Sequence, residues 1–194
     1  MDWRRGAAGP LHARPLPTDG RRRVSVLEVD RPALVLGSTS PDVEPAGSGF
    51  DVVRRTSGGG LVWLDPAEST WLDVFVPADD PLSERDVARA FAWLGERISL
   101  AFVSLGVPAA AATSTASGPS GRAGRDLLCF GSVGHGEVVV VPEPDGPAVE
   151  GTRKLVGISQ RRTRAGSRFQ CVWYRHFTLG AIDSLVPAAA ARAA

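Results

Sequence analysis

The seven residues 54–60, with the sequence RRTSGGG, have the composition of an anion-binding loop. Three consecutive glycines allow positive φ angles and a close approach of the backbone to a ligand. Successive backbone N–H groups in such a turn can form an anion-binding nest, and two neighbouring arginines can neutralise a phosphate or carboxylate. No Gly-Lys-Ser/Thr follows and no GxGxxG precedes a helix, which excludes a Walker loop and a dinucleotide fingerprint. The residues predicted to form this site are Arg54, Arg55, Ser57, Gly58, Gly59 and Gly60.

Lys154 is the second candidate, because it is the only lysine in a chain that has 22 lysine and arginine residues. It opens the run 153–162, RKLVGISQRR, in which Gly157 lacks the side chain that a strand residue normally presents. A glycine within a strand often marks a close approach of another group. The compact ammonium of a lysine can stabilise charge that develops on an acyl oxygen, whereas a wholly exposed lysine would be only a surface cation.

Cys129 is the third candidate, and its sequence context leaves two interpretations open. A thiolate is a strong nucleophile, and a nearby cation such as Lys154 would favour it. A cysteine at the end of the apolar run 127–130 is equally typical of a small buried core residue. The chain has two cysteines and no Cys/His cluster with metal-ligand spacing, so we expect free thiols and no bound metal. The three histidines, His12, His135 and His176, are weak candidates for a catalytic role. Among them, His135 together with Glu137 is the one that we consider for a substrate contact.

The elements that must position these residues are many short strands and one long helix. Apolar residues at spacings of three and four predict a helix over 83–105, starting at a capping box formed by Ser83 and Asp86 and ending at Gly106. Strands are predicted at 24–29, 33–36, 50–54, 61–64, 71–76, 127–130, 137–141, 155–159 and 169–174. The fold class is therefore α/β (α+β), with a mixed, largely antiparallel sheet flanked by helices.

Domain organisation follows from composition along the chain. Residues 1–20 are rich in Pro, Gly and Arg without periodicity and predict a flexible arm. A single catalytic domain is predicted over 21–187, with a low-complexity segment at 109–124 and a protruding loop between 141 and 153. Residues 188–194 are predicted to form a frayed tail after a short helix.

Charge and hydropathy exclude several classes of protein. The formal net charge is +1, which provides no global field for nucleic acid or a membrane surface. No apolar run approaches the length of a transmembrane helix, and the basic N-terminus lacks the apolar core of a signal peptide. We therefore expect a cytoplasmic protein.

Together, RRTSGGG and KLVGISQ resemble the lipoate–protein ligase A family of the biotin/lipoate protein ligase superfamily. The resemblance covers most of residues 24–180. It implies a ligase that forms a lipoyl-adenylate from lipoate and ATP with magnesium, and then modifies a lysine of a lipoyl carrier domain. That domain would belong to a 2-oxoacid dehydrogenase or a glycine cleavage protein. It also implies that the glycine loop lines the acyl and nucleotide pocket and that Lys154 contacts the acyl carbonyl and phosphate. Further binding residues implied by the resemblance are Asp65, Gly157, Ser159 and Gln160.

Two alternatives accompany this interpretation. The Cys129-Phe130 step resembles that of the cysteine-dependent octanoyltransferases of the same superfamily, which take the acyl group from acyl carrier protein and need no other cofactor. Leu64 and Cys171 stand where the ligases commonly have histidine. These losses would also fit a relative that binds an acyl group or nucleotide without turnover.

Overall fold

The computed structural model of the 194-residue chain describes residues 1–43, 49–113, 116–117, 128–142 and 153–176. The predicted tail (188–194), the short helix before it and most of the predicted loop at 141–153 lie outside these residues. The strands are β1 (Asp2–Gly6), β2 (Arg23–Val29), β3 (Ala33–Leu36), β4 (Asp51–Arg54), β5 (Val62–Leu64), β6 (Ser69–Pro77), β7 (Ala109–Ala111), β8 (Ala116–Ser117), β9 (Ser132–Val133), β10 (Val138–Val140), β11 (Lys154–Thr163) and β12 (Gly166–Tyr174). The α-helices are α1 (Ala8–Ala13) and α2 (Val87–Ser104).

A seven-stranded sheet forms the centre of the fold, in the order β1-β2-β6-β12-β11-β10-β7. The β1–β2 pair is parallel and the other pairs are antiparallel, which confirms the predicted mixed and largely antiparallel sheet. A smaller sheet has the order β4-β3-β5, and β8 pairs with β9.

The large sheet is covered on both faces by apolar packing. Helix α2 contributes Ala90, Leu94 and Ile98 to a core that contains Val156 and Phe169 of the sheet. A second core joins the large sheet to α1 and the small sheet; its buried members are Ala8, Leu11, Leu27, Val29, Ala33, Val35, Leu64, Trp71 and Val172. The inner cavity described below is lined by residues of both cores.

Helix α2 confirms the predicted apolar stripe, but it begins later than expected. Its N-cap is Asp86, whose carboxylate accepts a hydrogen bond from the Arg89 backbone N–H at 2.9 Å, so the predicted start at Ser83 is wrong. Beyond its C-terminus Gly106 takes a φ of +81°, and Val107 N–H donates to the carbonyl of Phe102 at 2.9 Å. Glycine is favoured there because other residues rarely adopt this conformation.

Three further expectations need correction. A flexible arm over 1–20 is wrong for residues 2–13, because β1 pairs with β2, and Ala8 and Leu11 of α1 are buried. The low-complexity segment starts with β7, which pairs with β10. The strand predicted over 127–130 is wrong for residues 128–130, since Leu128 makes a single bridge to Leu61 and Cys129–Gly131 form a 3-10 turn; residue 127 lies outside the described residues. In each case long-range contacts override a weak local signal.

No helix in the described part of the chain has the length and apolar character needed to span a membrane.

Candidate active site

Two neighbouring cavities with shared lining residues bring most of the sequence-predicted residues together. The outer cleft, of about 480 Å³, is lined by the glycine loop (Gly58, Gly59, Gly60), Cys129, Glu137 and Lys154, among others. The inner cavity, of about 30 Å³, is a narrow and mainly apolar space between the two sheets. Both cavities are lined by Arg55, Cys129, Ile158 and Ser159, which therefore form their junction. The prediction that the glycine loop and Lys154 face one pocket is confirmed.

The glycine loop is held in place by its own arginine. Arg55 is 5% exposed, and its Nη2 donates to the carbonyls of Gly58 at 2.8 Å and Gly60 at 2.9 Å. Gly59 has a φ of +99°, and a Cβ there would lie 2.9 Å from Arg55 Nη2. Burial lowers the pKa of the Arg55 guanidinium from its usual value. Its Nε and Nη1 are buried without a hydrogen-bond partner among the described residues, so Arg55 retains donors for a ligand.

Arg54 has a different role from its neighbour. Its Nη1 donates to the carbonyls of Gly37 and Ser40, both at 2.7 Å, and its Nη2 lies 2.5 Å from an Asp42 carboxylate oxygen. Arg54 therefore fastens the segment 37–42 beside the glycine loop and lines neither cavity. The expectation that both arginines of the pair face an anion is wrong for Arg54.

Lys154 lies at the start of β11 and is buried, with only 4% of its side chain exposed. Its Nζ is 2.6 Å from Glu137 Oε2, donates to the backbone carbonyl of Cys129, and lies 3.6 Å from Cys129 Sγ. The ring of Phe130 lies 5.5 Å from the ammonium, at cation–π distance. This burial excludes the interpretation of Lys154 as a surface cation.

Glu137 is the site residue whose importance the sequence indicated least. Its side chain is 7% exposed, and besides Lys154 it accepts hydrogen bonds from the backbone N–H of Gly134 at 2.6 Å and of Ile158 at 3.1 Å. A register shift between Val138 and Val139 in the β10–β11 pair accompanies this arrangement. Glu137 therefore fixes the position of the Lys154 ammonium.

Cys129 follows the bridge between Leu128 and Leu61, and its backbone N–H donates to the carbonyl of Leu61 at 2.9 Å. Because Leu61 directly follows Gly60, this bond ties the thiol to the glycine loop. A Cβ on Gly157 would come within 3.1 Å of Cys129 Sγ, so glycine at 157 leaves room for the thiol, as the sequence suggested. The pKa of the Cys129 thiol is raised, chiefly because the thiol is buried. The Glu137 carboxylate also raises this pKa, whereas the positive charges of Lys154 and Arg55 lower it.

The other predicted residues divide into two groups. Ser159 lines both cavities, Gly157 lines the inner one, and Ser57 supports Ser159 through a 3.2 Å hydrogen bond between their hydroxyls. Asp65 instead accepts hydrogen bonds from the backbone N–H groups of Ala67 and Glu68 in a turn, and Gln160 likewise lines neither cavity. The described residues hold no group of three or more His, Cys, Asp and Glu side chains placed to bind a metal.

His12 was not predicted as a site residue, yet it lines the inner cavity. Its ring lies against Trp71, with centroids 4.3 Å apart, and Arg168 holds the backbone carbonyl of His12 at 3.1 Å. No local pattern around position 12 indicates this, because the contacts come from strands far along the chain.

Comparisons with known proteins bear on the family and on the fold. The sequence profile of the lipoyl protein ligase A/B catalytic domain matches residues 18–192. A search of curated proteins finds no significant match. One similar solved structure is a putative lipoate protein ligase from Thermoplasma acidophilum with bound lipoic acid. Its TM-score is 0.64 and its sequence identity is 15%, and the match covers 100% of this chain and 76% of the T. acidophilum chain.

Two further structures have the same fold. A bipartite lipoate protein ligase from T. acidophilum, described with its E2 lipoyl domain, has a TM-score of 0.62 and 15% identity, over 96% of this chain and 67% of that one. A lipoate–protein ligase A bound with ATP has a TM-score of 0.56 and 16% identity, over 91% and 64% of the two chains. At these identities the likeness concerns the fold.

Proposed function

Because the chain belongs to the lipoyl protein ligase A/B catalytic-domain family, we propose that it transfers a lipoyl or octanoyl group to a lysine of a lipoyl carrier domain. The target domain would belong to a 2-oxoacid dehydrogenase or a glycine cleavage protein. The T. acidophilum ligase described with an E2 lipoyl domain supports a partner of this class.

The contact between Cys129 and Lys154 carries the choice of route. The thiol lies at the junction of a small apolar cavity and a wider cleft, which we assign to the acyl chain and to the carrier. The Lys154 ammonium, 3.6 Å from Sγ, can stabilise a thiolate and the oxyanion that forms on an acyl carbonyl. We therefore favour the cysteine-dependent transferase route over the ligase route.

In this route, Cys129 first loses its proton to solvent. The thiolate attacks the carbonyl carbon of the octanoyl thioester on acyl carrier protein, and the carrier leaves as a thiolate. The neutral amine of the target lysine then attacks the Cys129 thioester, forming the amide, releasing the Cys129 thiolate and losing one proton to solvent. Glu137 positions the Lys154 ammonium throughout, and Arg55 adds a second positive charge near the thiol.

A ligase route that uses lipoate and ATP is the second candidate, and two observations favour it. The glycine loop lines a cleft of about 480 Å³, and two nitrogens of Arg55, Nε and Nη1, have no partner among the described residues and suit a phosphate or carboxylate. One structure with the same fold is an ATP complex, and another holds lipoic acid.

The described residues fit magnesium poorly. Glu137 is the one carboxylate among the described residues that line the outer cleft. Its two oxygens already accept from Lys154, Gly134 and Ile158. We assign no step to a metal ion here.

The test supplies a lipoyl-domain protein with either octanoyl-acyl carrier protein alone or lipoate, ATP and magnesium, and measures the mass of the product. The transferase route predicts octanoyl transfer by the native protein, loss of transfer in Cys129→Ser, and retention in Cys171→Ala. Cys171 is a matched control because it is the second cysteine and lies in the core on β12. ATP-dependent lipoyl transfer that survives Cys129→Ser would instead establish the ligase route. No transfer from either donor would leave the non-catalytic interpretation.

A further inference from the structure

His12 places a polar group in the wall of an otherwise apolar space. The inner cavity is lined by aliphatic side chains of both sheets, including Val35, Val62, Leu64 and Val172. His12 and Gln170 also line it, and the Gln170 amide Nε2 lies 3.2 Å from His12 Nδ1.

The protonation state of His12 follows from its contacts. The Gln170 amide is oriented with its NH₂ group toward Nδ1. In this orientation Nδ1 accepts the hydrogen bond, and a neutral ring carries its proton on Nε2. Burial, with the nearby positive charges of Arg55 and Arg168, lowers the pKa of His12 to about 3. The ring is therefore neutral near pH 7, and Nε2 is a hydrogen-bond donor.

This donor is unused by the protein. His12 Nε2 is buried and has no hydrogen-bond partner among the described residues. Buried polar groups are nearly always paired in native proteins, and each exception calls for a reason. His12 is one of the residues that line the inner cavity, so a ligand there that carries an acceptor can pair with this donor.

The donor lies across the sheet from the thiol. Cys129 Sγ packs over Gly157 of β11, whereas His12 contacts Gln170 of β12 and Trp71 of β6. The order of these strands is β11-β12-β6, and neighbouring strands are about 4.8 Å apart, so the separation is roughly 5–10 Å. An acyl chain joined to Cys129 and directed into the inner cavity extends toward His12. Because the cavity is only about 30 Å³, lining side chains must shift to admit the chain.

We propose that His12 Nε2 is a specificity-determining donor for the distal end of the acyl chain and that it selects lipoyl over octanoyl groups. The proposal rests on the proposed function, in which the inner cavity holds the acyl chain. The octanoyl group of the transferase route remains a substrate, and a lipoyl group presented as the same thioester is transferred faster. A lipoyl chain ends in a dithiolane ring whose sulfurs accept hydrogen bonds weakly, whereas an octanoyl chain ends in a methyl group. The methyl group would leave the buried donor unpaired, which disfavours it.

The test compares two acyl groups of the same shape, lipoyl and 5-cyclopentylpentanoyl, in which carbon replaces both sulfurs. Each acyl group is supplied either on acyl carrier protein or as the free acid with ATP and magnesium, whichever donor the native protein uses. The measured quantity is kcat/KM for transfer to a lipoyl domain. We expect the native protein to prefer lipoyl by about fivefold, the value of one modest hydrogen bond. His12→Phe keeps a ring against Trp71 but removes the donor, so its preference should fall to about one.

His176→Phe is the matched control, since this histidine is exposed and contacts Glu68 away from both cavities. It should keep the native preference. A second measurement covers the case in which His12→Phe does not fold: the ¹⁵N resonances of the three histidines in the native protein. The His12 Nε2 resonance should shift more with lipoate than with 5-cyclopentylpentanoate.

The outcomes separate the two proposals. Equal use of both acyl groups by the native protein, or an unchanged preference in His12→Phe, would overturn the role of His12 and leave acyl transfer intact. Failure of the native protein to bind or transfer either group would overturn the proposed function and, with it, this inference.

Discussion

Two buried ion pairs occupy the large sheet, and they are built differently. Arg168 and Asp73 face each other across β12 and β6, with side chains 6% and 8% exposed. Lys154 and Glu137 lie at the β10–β11 end of the sheet, with side chains 4% and 7% exposed. The two ion pairs are therefore buried to a similar extent, and they differ in the groups that surround each positive charge.

The Arg168 guanidinium is surrounded by acceptors. Its Nε lies 2.6 Å from Asp73 Oδ2, and its remaining nitrogens donate at 3.1–3.2 Å to the carbonyls of Leu11, His12 and Arg14. Three of these acceptors lie at the end of α1, where helix carbonyls lack internal partners. Arg168 thus docks α1 on the sheet.

The Lys154 ammonium is positioned on one side only. Glu137 and the Cys129 carbonyl hold it, while it lines the outer cleft beside the thiol. The planar fork of arginine suits a site filled with fixed acceptors, and the compact charge of lysine suits a site where charge develops during a reaction. The comparison supports a structural role for the first pair and the catalytic role that we propose for the second.

The largest effect is expected from Arg168→Met. The change leaves the Asp73 carboxylate buried without its partner and removes the donor from three carbonyls. We expect the free energy of unfolding to fall by about 4 kcal/mol, measured by chemical denaturation. Arg97→Met, on the exposed side of α2, is the control and should stay within about 0.5 kcal/mol of the native value. A loss below about 1 kcal/mol for Arg168→Met would contradict the structural role.

The exchange Lys154→Arg should mainly affect the rate. Arginine keeps the charge but cannot place one compact ammonium against Glu137 and the thiol, so we expect acyl transfer to slow about a hundredfold, or about 3 kcal/mol. The reciprocal variant Arg168→Lys should retain transfer per folded molecule and lose stability instead. Transfer assays far below both melting temperatures separate these effects. Native rates in Lys154→Arg would show that this ammonium does not act on the acyl group.

The smallest effect concerns the reactivity of Cys129. Because burial raises its pKa, alkylation by iodoacetamide should accelerate as pH rises through the alkaline range. The Glu137 carboxylate adds to that rise, so Glu137→Gln should lower the thiol pKa and move the profile to lower pH. A shift of one pH unit makes alkylation about tenfold faster at pH 8.

This measurement is made in a Cys171→Ala background, where Cys129 is the only thiol. The native sequence at position 137 in that background is the control. A profile that stays in place, or moves to higher pH, would contradict the electrostatic role assigned to Glu137.

The parts of the fold that the sequence predicted are those with strong local patterns. The apolar stripe of α2 and the alternating runs of the long strands depend on neighbours in sequence, and both were found. The segment 2–13 was missed because its strand and helix are short and contain Pro, Gly and Arg. Its order depends on contacts with Arg168, more than 150 residues away.

The candidate site divides in the same way. Residue type and spacing identified Cys129, Lys154 and the glycine loop, and the fold brings them together. Glu137 was considered only as a weak partner of His135, because its contact with Lys154 depends on a strand pairing with a register shift. His12 was assigned to the arm because its contacts come from strands far along the chain. Asp65 was included by resemblance, although it stabilises a turn.

The docking of α1 also affects where the catalytic unit begins. The family profile starts at residue 18, after β1 and α1. A boundary drawn there would remove an edge strand and expose Trp71, Gln170 and Arg168, which His12 and its neighbours cover. In evolutionary terms, the acyl-chain selection that we propose for His12 on α1 and the chemistry that we propose for the glycine loop, Cys129 and Lys154 lie on separate segments. On these proposals, substitutions near residue 12 are expected to alter the accepted acyl group while the reacting residues stay unchanged.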